Sequence, residues 1–359
     1  MKSAGSPRRG AVLCPAPPTP FLPVATHSTS LFAPTALRVH AIATPPGQPP
    51  AASRLPLAFE PFLFLVPAHQ ALQAHGCSVV AFFLEDEAAG QTVAQLYVVL
   101  DFEGQGQARS PGQASFGGVQ LAAGLPVAAL HLLLDAAEAT LRQHQQHHLV
   151  VRGYPFCYDP AGAATLAEAL RQRGYQIALA EQNYHLDTRR DYAAHLTYNE
   201  RHVLRKSVRA GFVVEQEPPY LLPLAYEFMA ECRRERGQTL SLPLTRVQAL
   251  FKAFPRQHLL LSVRDPAGEW AAVLIAIRAS SRVFYDFYLA SPLRLNKWSP
   301  AVQLLGGLHA FAQANEAAVV DLGTSTLPSG PNVPLLDLKR HLGGIAGLRL
   351  TWQKTLLTP

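Results

Sequence analysis

Short apolar runs alternate with amphipathic segments along the second half of the chain, and glycine or proline separates most of them. Residues 198–210 predict a helix, because Thr197 and Glu200 form a capping-box pattern at its start and Gly211 follows its end. The segments after it predict the order β-α-α-β-β-β-α-β-α-β, with three successive antiparallel strands in the middle. They are strand 212–214, helices 221–236 and 245–254, strands 259–263, 270–277 and 283–289, a helix from Ser299-Pro300, strand 318–322, helix 334–342 and strand 348–352.

The first half repeats most of this order with negligible sequence identity between the halves. Its predicted elements are strands 79–84 and 92–100, a helix from Pro126 to about His144, strand 149–151, helix 165–173 and a strand from Tyr175. The repetition predicts an α/β fold, an α+β mixed sheet, built from two tandem related units. We place these units at residues 57–188 and 189–359.

Residues 1–56 differ in composition from the rest of the chain. They hold 12 of the 30 prolines and five basic side chains but no acidic one, and they lack a periodic apolar face. Such a segment cannot bury enough apolar surface to offset the entropy lost on ordering, so we predict a disordered tail. The formal charge of +6 belongs to this tail, because the body carries 26 basic and 25 acidic residues. The basic pI therefore does not by itself indicate nucleic-acid binding.

The four cysteines are scattered without metal or redox spacing, which favours a reduced, cytoplasmic setting. No apolar run approaches the roughly 18 residues that a membrane span needs. His144, His147 and His148 lie close in sequence but lack a supporting acid, so we predict no metal site.

Three motifs follow one another along the chain: Ser115-Phe116-Gly117-Gly118, the basic segment from Arg201 to Gly211, and Asp321-Leu322-Gly323 followed by Lys339 and Gly343-Gly344. In this order they resemble the motifs of the FemAB-like branch of the GNAT acyltransferase superfamily, whose members contain two tandem GNAT-like units. The resemblance covers about residues 57–357.

This resemblance implies a bacterial-type N-acyltransferase that moves an acyl or aminoacyl group to a substrate amine by direct attack. The donor would be an acyl-CoA such as acetyl-CoA, or an aminoacyl-tRNA. The acceptor would be a small molecule or a peptidoglycan or glycan precursor. Acyl-CoA members of the superfamily hold pyrophosphate on a glycine-rich loop, but residues 291–300 here contain no glycine. Arg294, Lys297 and Ser299 are therefore the candidates for cofactor binding.

Three residues are candidates for catalysis. Lys339 could stabilise negative charge on the attacked carbonyl oxygen or neutralise a phosphate. Asp321, at the end of an apolar strand, could accept the proton of the amine or cap the following loop. Asp286 is the alternative base, because an acid inside the aromatic strand Phe284-Tyr285-Asp286-Phe287-Tyr288 needs a partner.

The predicted substrate-binding residues fall into three groups. Arg201 and Arg205 form a basic stripe on one helix, with Lys206 beside them, and could contact phosphates. The glycines of the first motif permit a ligand to approach the backbone. The full set is Arg201, Arg205, Lys206, Ser115, Phe116, Gly117, Gly118, Tyr288 in the predicted acceptor groove, and Asn332 in the loop before Lys339.

Two alternatives to an enzyme stay open. The chain could be a non-catalytic protein that binds a cell-wall or glycan precursor, since it lacks the glycine-rich loop. It could also be an RNA-associated protein that uses the basic helix, in which case its binding would weaken steeply with salt.

Overall fold

The computed structural model describes residues 36–74, 76–327 and 330–356. The strands are β1 (Leu37–Thr44), β2 (Val79–Asp86), β3 (Gln91–Val99), β4 (Gln107–Ser110), β5 (Gln120–Leu121), β6 (His148–Arg152), β7 (Gln176–Asp187), β8 (Val213–Glu217), β9 (His258–Arg264), β10 (Trp270–Ser280), β11 (Val283–Ala290), β12 (Val319–Thr324), β13 (Thr326–Leu327), β14 (Gly330–Pro331) and β15 (Ile345–Thr355). The helices are α1 (Pro67–Gln73), α2 (Val127–Gln143), α3 (Pro160–Gln172), α4 (Tyr192–His195), α5 (Tyr198–Arg209), α6 (Leu222–Arg234), α7 (Leu244–Ala253), α8 (Pro300–Ala314) and α9 (Val333–His341).

One continuous sheet of 13 strands runs through both halves, in the order β1-β2-β3-β4-β6-β15-β7-β12-β11-β10-β9-β8, with β5 paired to β3. Two neighbouring pairs on this path are parallel, β4 with β6 and β11 with β12. The central order β4-β6-β15-β7-β12-β11 therefore has approximate twofold symmetry. This mixed sheet and the repeated element order confirm the predicted fold class of two tandem units.

The two halves exchange a strand at the centre of the sheet. β15, from the end of the chain, pairs with β6 of the first half, and β7 of the first half pairs with β12 of the second. β7 and β15 also pair with each other along nearly their whole length. Each half thus completes the other's part of the sheet.

Apolar cores lie on both faces of the sheet. The first half packs α2 and α3 against β2, β3, β6 and β15. In the second half, α5 and α8 pack on one face, whereas α6 and α7 pack on the opposite face. Val320 and Leu322 on β12 belong to the α8 side, so Asp321 between them points to the opposite face.

The prediction of disorder over 1–56 is wrong for residues 36–56. Leu37–Thr44 forms β1, which pairs antiparallel with β2 from Leu37 opposite Asp86 to Thr44 opposite Val79. The prolines on either side of this strand dominate its local composition, but its partner lies about 40 residues away, and that pairing orders it. Residues 1–35 lie outside the described residues.

Most predicted elements of the second half are confirmed within a few residues. The capping prediction at Thr197 is only half right, because Thr197 is the N-cap residue of α5 but its side chain makes no capping bond. In the first half, α3 begins at Pro160, earlier than predicted, since Asp159 Oδ1 accepts a hydrogen bond from Gly162 N at 3.0 Å. No helix in the described part of the chain combines the length and apolar character needed to cross a membrane.

Candidate functional site

The site begins where two parallel strands of the second half separate. β11 and β12 pair only from Val283 opposite Val319 to Tyr285 opposite Asp321. Asp286 is the next residue after this pairing ends. A β-bulge follows it directly, because Asp286 faces Ala276 and Tyr288 faces Ile275, which leaves Phe287 as the extra residue. Bulges of this kind redirect side chains and occur next to active sites.

Asp321 is held by hydrogen bonds from both halves of the chain. Its Oδ2 accepts from the Tyr158 hydroxyl at 2.8 Å, and its Oδ1 accepts from Asn183 Nδ2 at 2.9 Å. Oδ1 also accepts from Gly323 N at 2.7 Å. With both oxygens engaged and only 1% of the residue exposed, Asp321 is arranged to organise the site. Its predicted role as cap of the following loop is confirmed by the Gly323 bond.

Lys339 is buried beside Asp321, with 3% of the residue exposed. Its Nζ donates to Gly323 O at 2.9 Å and to Thr324 O at 2.8 Å, which leaves one of its three N–H groups for another acceptor. Burial lowers the pKa of Lys339, while the charges of Asp286 and Asp321 oppose this effect. The ammonium therefore releases a proton more easily than an exposed lysine does.

The end of α9 fixes the position of Lys339. Gly343 has φ of 68°, and a Cβ atom there would lie 2.0 Å from His195 O. Only glycine allows this close packing of the α9 end against α4.

Asp286 is half-buried and its side chain makes no hydrogen bond with a described residue. Burial raises the pKa of Asp286, and the positive charges of Lys339 and Arg233 only partly offset that effect. A carboxylate with a raised pKa and no fixed partner is a better general base than Asp321, whose oxygens are occupied. The structure thus brings together the three candidates for catalysis, Asp321, Lys339 and Asp286.

The point where β11 and β12 separate is called the fork below. A row of polar side chains extends from the fork across the centre of the sheet. Glu181 on β7 lies opposite Arg349 on β15, and Arg349 Nη2 contacts Glu181 Oε2 at 2.6 Å. The alternation of side chains places both on the same sheet face as Asp321. In strand order the row consists of Arg109, Arg152, Arg349, Glu181 with Asn183, Asp321 and Tyr285.

The first motif lies against this row. Arg349 Nη1 donates to Ser115 O at 3.0 Å, and Phe116 packs in an aromatic cluster with Phe62, Tyr154 and Tyr158. The glycines approach the protein's own backbone: Gly117 N donates to Arg152 O at 2.8 Å, and a Cβ on Gly117 would lie 2.6 Å from Pro111 N. Gly118 N donates to Ser110 Oγ at 2.9 Å. The first motif therefore contacts the polar row at Arg349 and Arg152.

Two other predicted ligand residues have local structural contacts. The Tyr288 hydroxyl bonds with Ser241 Oγ at 2.5 Å and accepts from Leu242 N at 3.0 Å, which fixes the loop after α6. Asn332 is the N-cap of α9, where its Oδ1 accepts from Leu335 N at 3.4 Å.

The basic stripe lies on a different side of the second half. Helix α5 packs with α8, on the sheet face opposite Asp321. Arg201 Nη2 donates to Leu196 O at 2.9 Å, Arg205 is exposed, and Lys206 Nζ lies 4.6 Å from the Trp298 ring centroid. The structure therefore does not bring the stripe to the polar row.

Two backbone N–H groups of the segment before α8 donate to acceptors within the protein. Leu293 N donates to Glu235 Oε2 at 2.9 Å, and Ser299 N donates to Asn296 O at 3.1 Å. Arg294 and Lys297 are exposed, and Ser299, the N-cap residue of α8, makes no capping bond. These two backbone N–H groups are therefore not available to a phosphate, whereas the side chains of Arg294 and Lys297 are accessible.

A cavity of about 560 Å³ lies apart from the fork and is lined by residues that include His144 and His147. Among the described residues, no group of three or more His, Cys, Asp or Glu side chains is placed to hold a metal ion.

Sequence reasoning missed the first-half members of the site. These members lie on strands or in a loop that carry no recognisable motif; they are Tyr158, Asn183, Glu181 and Arg152. Their place in the site follows only from the residues beside them in the folded structure. An acid or arginine in an otherwise apolar strand was the one available signal, the same signal that identified Asp286.

Comparison with known proteins agrees with this architecture. No family model matches the chain, and no curated protein matches its sequence. FemX has a TM-score of 0.65 at 11% identity, over 83% of this chain and 94% of that chain. A tandem GNAT protein from the clavulanic acid biosynthesis pathway has a TM-score of 0.50 at 12% identity, over 90% and 100% of the two chains. A conserved protein of unknown function from Bacteroides thetaiotaomicron has a TM-score of 0.53 at 9% identity, over 81% and 90%.

The chain therefore has a tandem GNAT fold similar to those of FemX and the tandem GNAT protein. At about a tenth identity these similarities show the fold alone.

Proposed function

We propose that this protein is an N-acyltransferase that moves an acyl or aminoacyl group from a thioester or ester donor to a substrate amine. The observation that carries this proposal is the pair formed by Asp286 and Lys339 at the fork of β11 and β12. In the described part of the chain, Asp286 is a carboxylate with a raised pKa and no hydrogen-bond partner, and Lys339 is a buried ammonium with one N–H that has no acceptor.

The reaction is a direct attack without an enzyme-bound intermediate. The amine nitrogen forms a bond to the donor carbonyl carbon, and Asp286 accepts the proton that the amine loses. Lys339 donates its free N–H to the oxygen that becomes negative. The bond to the thiol sulfur or the ribose oxygen then breaks, and that leaving group takes up a proton. The products are an amide and a free thiol or hydroxyl.

Positioning supplies much of the expected rate. Asp321 fixes Gly323, whose carbonyl oxygen holds Lys339, and Tyr158 and Asn183 fix Asp321. Tyr158 and Asn183 both come from the first half of the chain: Tyr158 lies in the loop after β6, and Asn183 lies on β7. A site built in this way keeps its catalytic groups in place before the substrates bind.

The donor is an acyl-CoA or an aminoacyl-tRNA, and the acceptor is an amine on a small molecule or a peptidoglycan or glycan precursor, in the cytoplasm. The segment before α8 favours a donor held by side chains such as Arg294 and Lys297, because it lacks glycine and two of its backbone N–H groups already have acceptors. The same feature supports the second candidate, a binding protein that retains the fold without transfer.

The test is a transfer assay with acetyl-CoA, longer acyl-CoAs and aminoacyl-tRNA against a panel of amines, with amide formation detected by mass spectrometry. Asp286→Asn should remove the acidic limb of the pH–rate profile, since it abolishes the group that must lose a proton. Lys339→Met should lower kcat by roughly 100-fold, as loss of one oxyanion donor does.

Matched controls are Asp337→Asn and Lys252→Met, which change a half-buried acid of α9 that pairs with Arg340 and an exposed lysine of α7. Both controls should keep wild-type kcat. Unchanged activity in Asp286→Asn and Lys339→Met would contradict the proposed roles. Tight binding of a glycan precursor without turnover of any donor would favour the binding protein.

A further inference from the structure

Arg152, at the end of β6, is a half-buried arginine without a partner. Its Nε is buried and unbonded, and its side chain forms no hydrogen bond or ion pair with any residue in the described ranges. Its carbonyl oxygen accepts from Gly117 N, which holds the backbone in place. A guanidinium in such a position is a donor group that lacks an acceptor.

A second unbonded polar atom lies directly across from it. Arg152 pairs with Thr351 on β15, and Thr351 Oγ1 is buried without a hydrogen-bond partner. Thr351 is 6% exposed, so water reaches its hydroxyl poorly. Side chains of directly paired residues lie on the same sheet face, about 5 Å apart at Cβ. Arg152 and Thr351 therefore present N–H and O–H groups to the same space.

The surrounding charges leave Arg152 unmatched. Arg349 is paired with Glu181 at 2.6 Å, and Arg109 is paired with Glu103 at 3.3 Å. No other acid faces Arg152 from the neighbouring strands in the described part of the chain. Burial lowers the pKa of Arg152, and the positive charges of Arg349 and Arg109 lower it further, against the weaker effects of Glu181 and Tyr285.

The position is open on one side. Leu179 on β7 pairs with Thr351 on the same face and is 41% exposed. Solvent therefore reaches this face beside Thr351, and a ligand can approach the half-buried Arg152 from there; contact with Thr351 Oγ1 requires neighbouring side chains to shift.

We propose that Arg152 and Thr351 bind an oxyanion, a phosphate or carboxylate group, carried by a substrate of this protein. An anion there would accept from the guanidinium and the hydroxyl together and would match the unpaired charge, which is otherwise unfavourable in a half-buried place. The positive charge of Arg349 adds to the attraction.

What this site implies about the substrate rests on the proposed function. Three strand spacings of about 4.8 Å separate β6 from β12. Arg152 and Thr351 lie level with Leu179 of β7, whereas Asp321 lies level with His185, six residues or about 20 Å further along the strand. The backbone positions of Arg152 and Asp321 are therefore about 25 Å apart, so the substrate class is an extended amine or acyl donor whose phosphate or carboxylate lies far from its reacting atom.

The test measures oxyanion binding to the full chain without any donor, by thermal shift and titration calorimetry. The probes are phosphate, pyrophosphate and succinate, each compared with chloride at equal ionic strength. Wild-type protein should be stabilised by phosphate or by succinate, and the better probe identifies the anion. Arg152→Met should weaken that binding by about tenfold or more, the loss of one charge-assisted pair. Thr351→Val should weaken it less.

A second readout separates binding from a structural role. In chloride, Arg152→Met should melt at or above the wild-type temperature, because the substitution removes an unpaired, half-buried charge. Arg171→Met on α3, which covers the opposite face, should keep both the wild-type stability in each anion and its affinity.

Three results would overturn the proposal: no oxyanion preference over chloride, full retention of binding in Arg152→Met, or a clear loss of stability of that variant in chloride. If Arg152→Met does not fold, that result also counts against it, and Arg152→Lys with Thr351→Val then checks whether binding follows the pair. Loss of binding in the variants alongside inactivity with every donor would sustain this site and refute the transferase. Acyl transfer without oxyanion binding would support the transferase and refute the oxyanion site.

Discussion

A buried acid in the first half holds the exchanged strand, and its removal is the most direct test of the interlocked architecture. Glu138 on α2 is 2% exposed. Its carboxylate accepts from Lys354 Nζ of β15 at 2.8 Å and from Arg173 Nε at 2.9 Å, and Arg142 Nη2 lies 3.3 Å away. A single acid thus matches cations from α2, the end of α3 and the last strand of the second half.

The substitution Glu138→Gln keeps the shape and removes the charge. Breaking a buried ion pair costs about 3–5 kcal/mol, because the partners stay buried without their counter-charge. Lys354 and Arg173 are 18% and 15% exposed, and Arg173 also contacts Asp135 at 2.6 Å. We therefore expect the lower end, about 3 kcal/mol. For a chain of 359 residues this corresponds to roughly 4 °C in melting temperature.

The assay is urea unfolding with thermal melts, for Glu138→Gln, Lys354→Met and the double variant. The double variant should lose less than the sum of the singles, since both remove the same interaction. Glu168→Gln, which breaks an exposed pair with Arg171 on α3, is the control and should leave the midpoint unchanged. A loss below about 1 kcal/mol for Glu138→Gln, or additive effects, would refute the reasoning.

The same group predicts a pH dependence. Burial opposes ionisation of Glu138, but hydrogen bonds from Arg173 and Lys354 outweigh it and hold the pKa of Glu138 below its usual range. Its stabilisation is therefore fully present above the unfolded-state pKa of about 4.3 and is lost as the pH falls through the lower folded value. Glu138→Gln should lack this part of the acid-induced loss, which melts between neutral and acidic pH would measure.

Two further substitutions test local geometry by thermal melts. Gly343→Ala should be destabilised by about 1–3 kcal/mol more than Gly90→Ala, because both have positive φ but only the first places a Cβ against His195 O; equal losses would show that this contact relaxes freely. Asp159→Ala should cost about 1 kcal/mol through loss of the α3 cap, and Asp159→Asn should cost less, since an amide oxygen can still accept from Gly162 N; a neutral Asp159→Ala would contradict the cap.

Much of the local structure follows from the sequence. The helix of residues 198–210 and the three strands ending at Leu289 are encoded by apolar periodicity and by nearby stop residues, which act over a few positions. The association of Asp321 with Lys339 could also be predicted from the sequence, because both belong to one motif. Strand β1 could not be predicted in this way, since its order depends on pairing with β2 far along the chain.

The sequence by itself determined the order of elements and the chemical character of the fork, namely an acid, a lysine and a glycine-flanked loop. Only the tertiary structure decided that β7 and β15 cross between the halves, that Arg152 faces Thr351, and that the basic helix packs on the opposite side. The physical reason is the sequence distance over which each interaction acts. Propensities and caps involve neighbouring residues, whereas strand register and burial depend on contacts between residues as far apart in sequence as Ser115 and Arg349. Those contacts select one packing among several that the local signals permit equally.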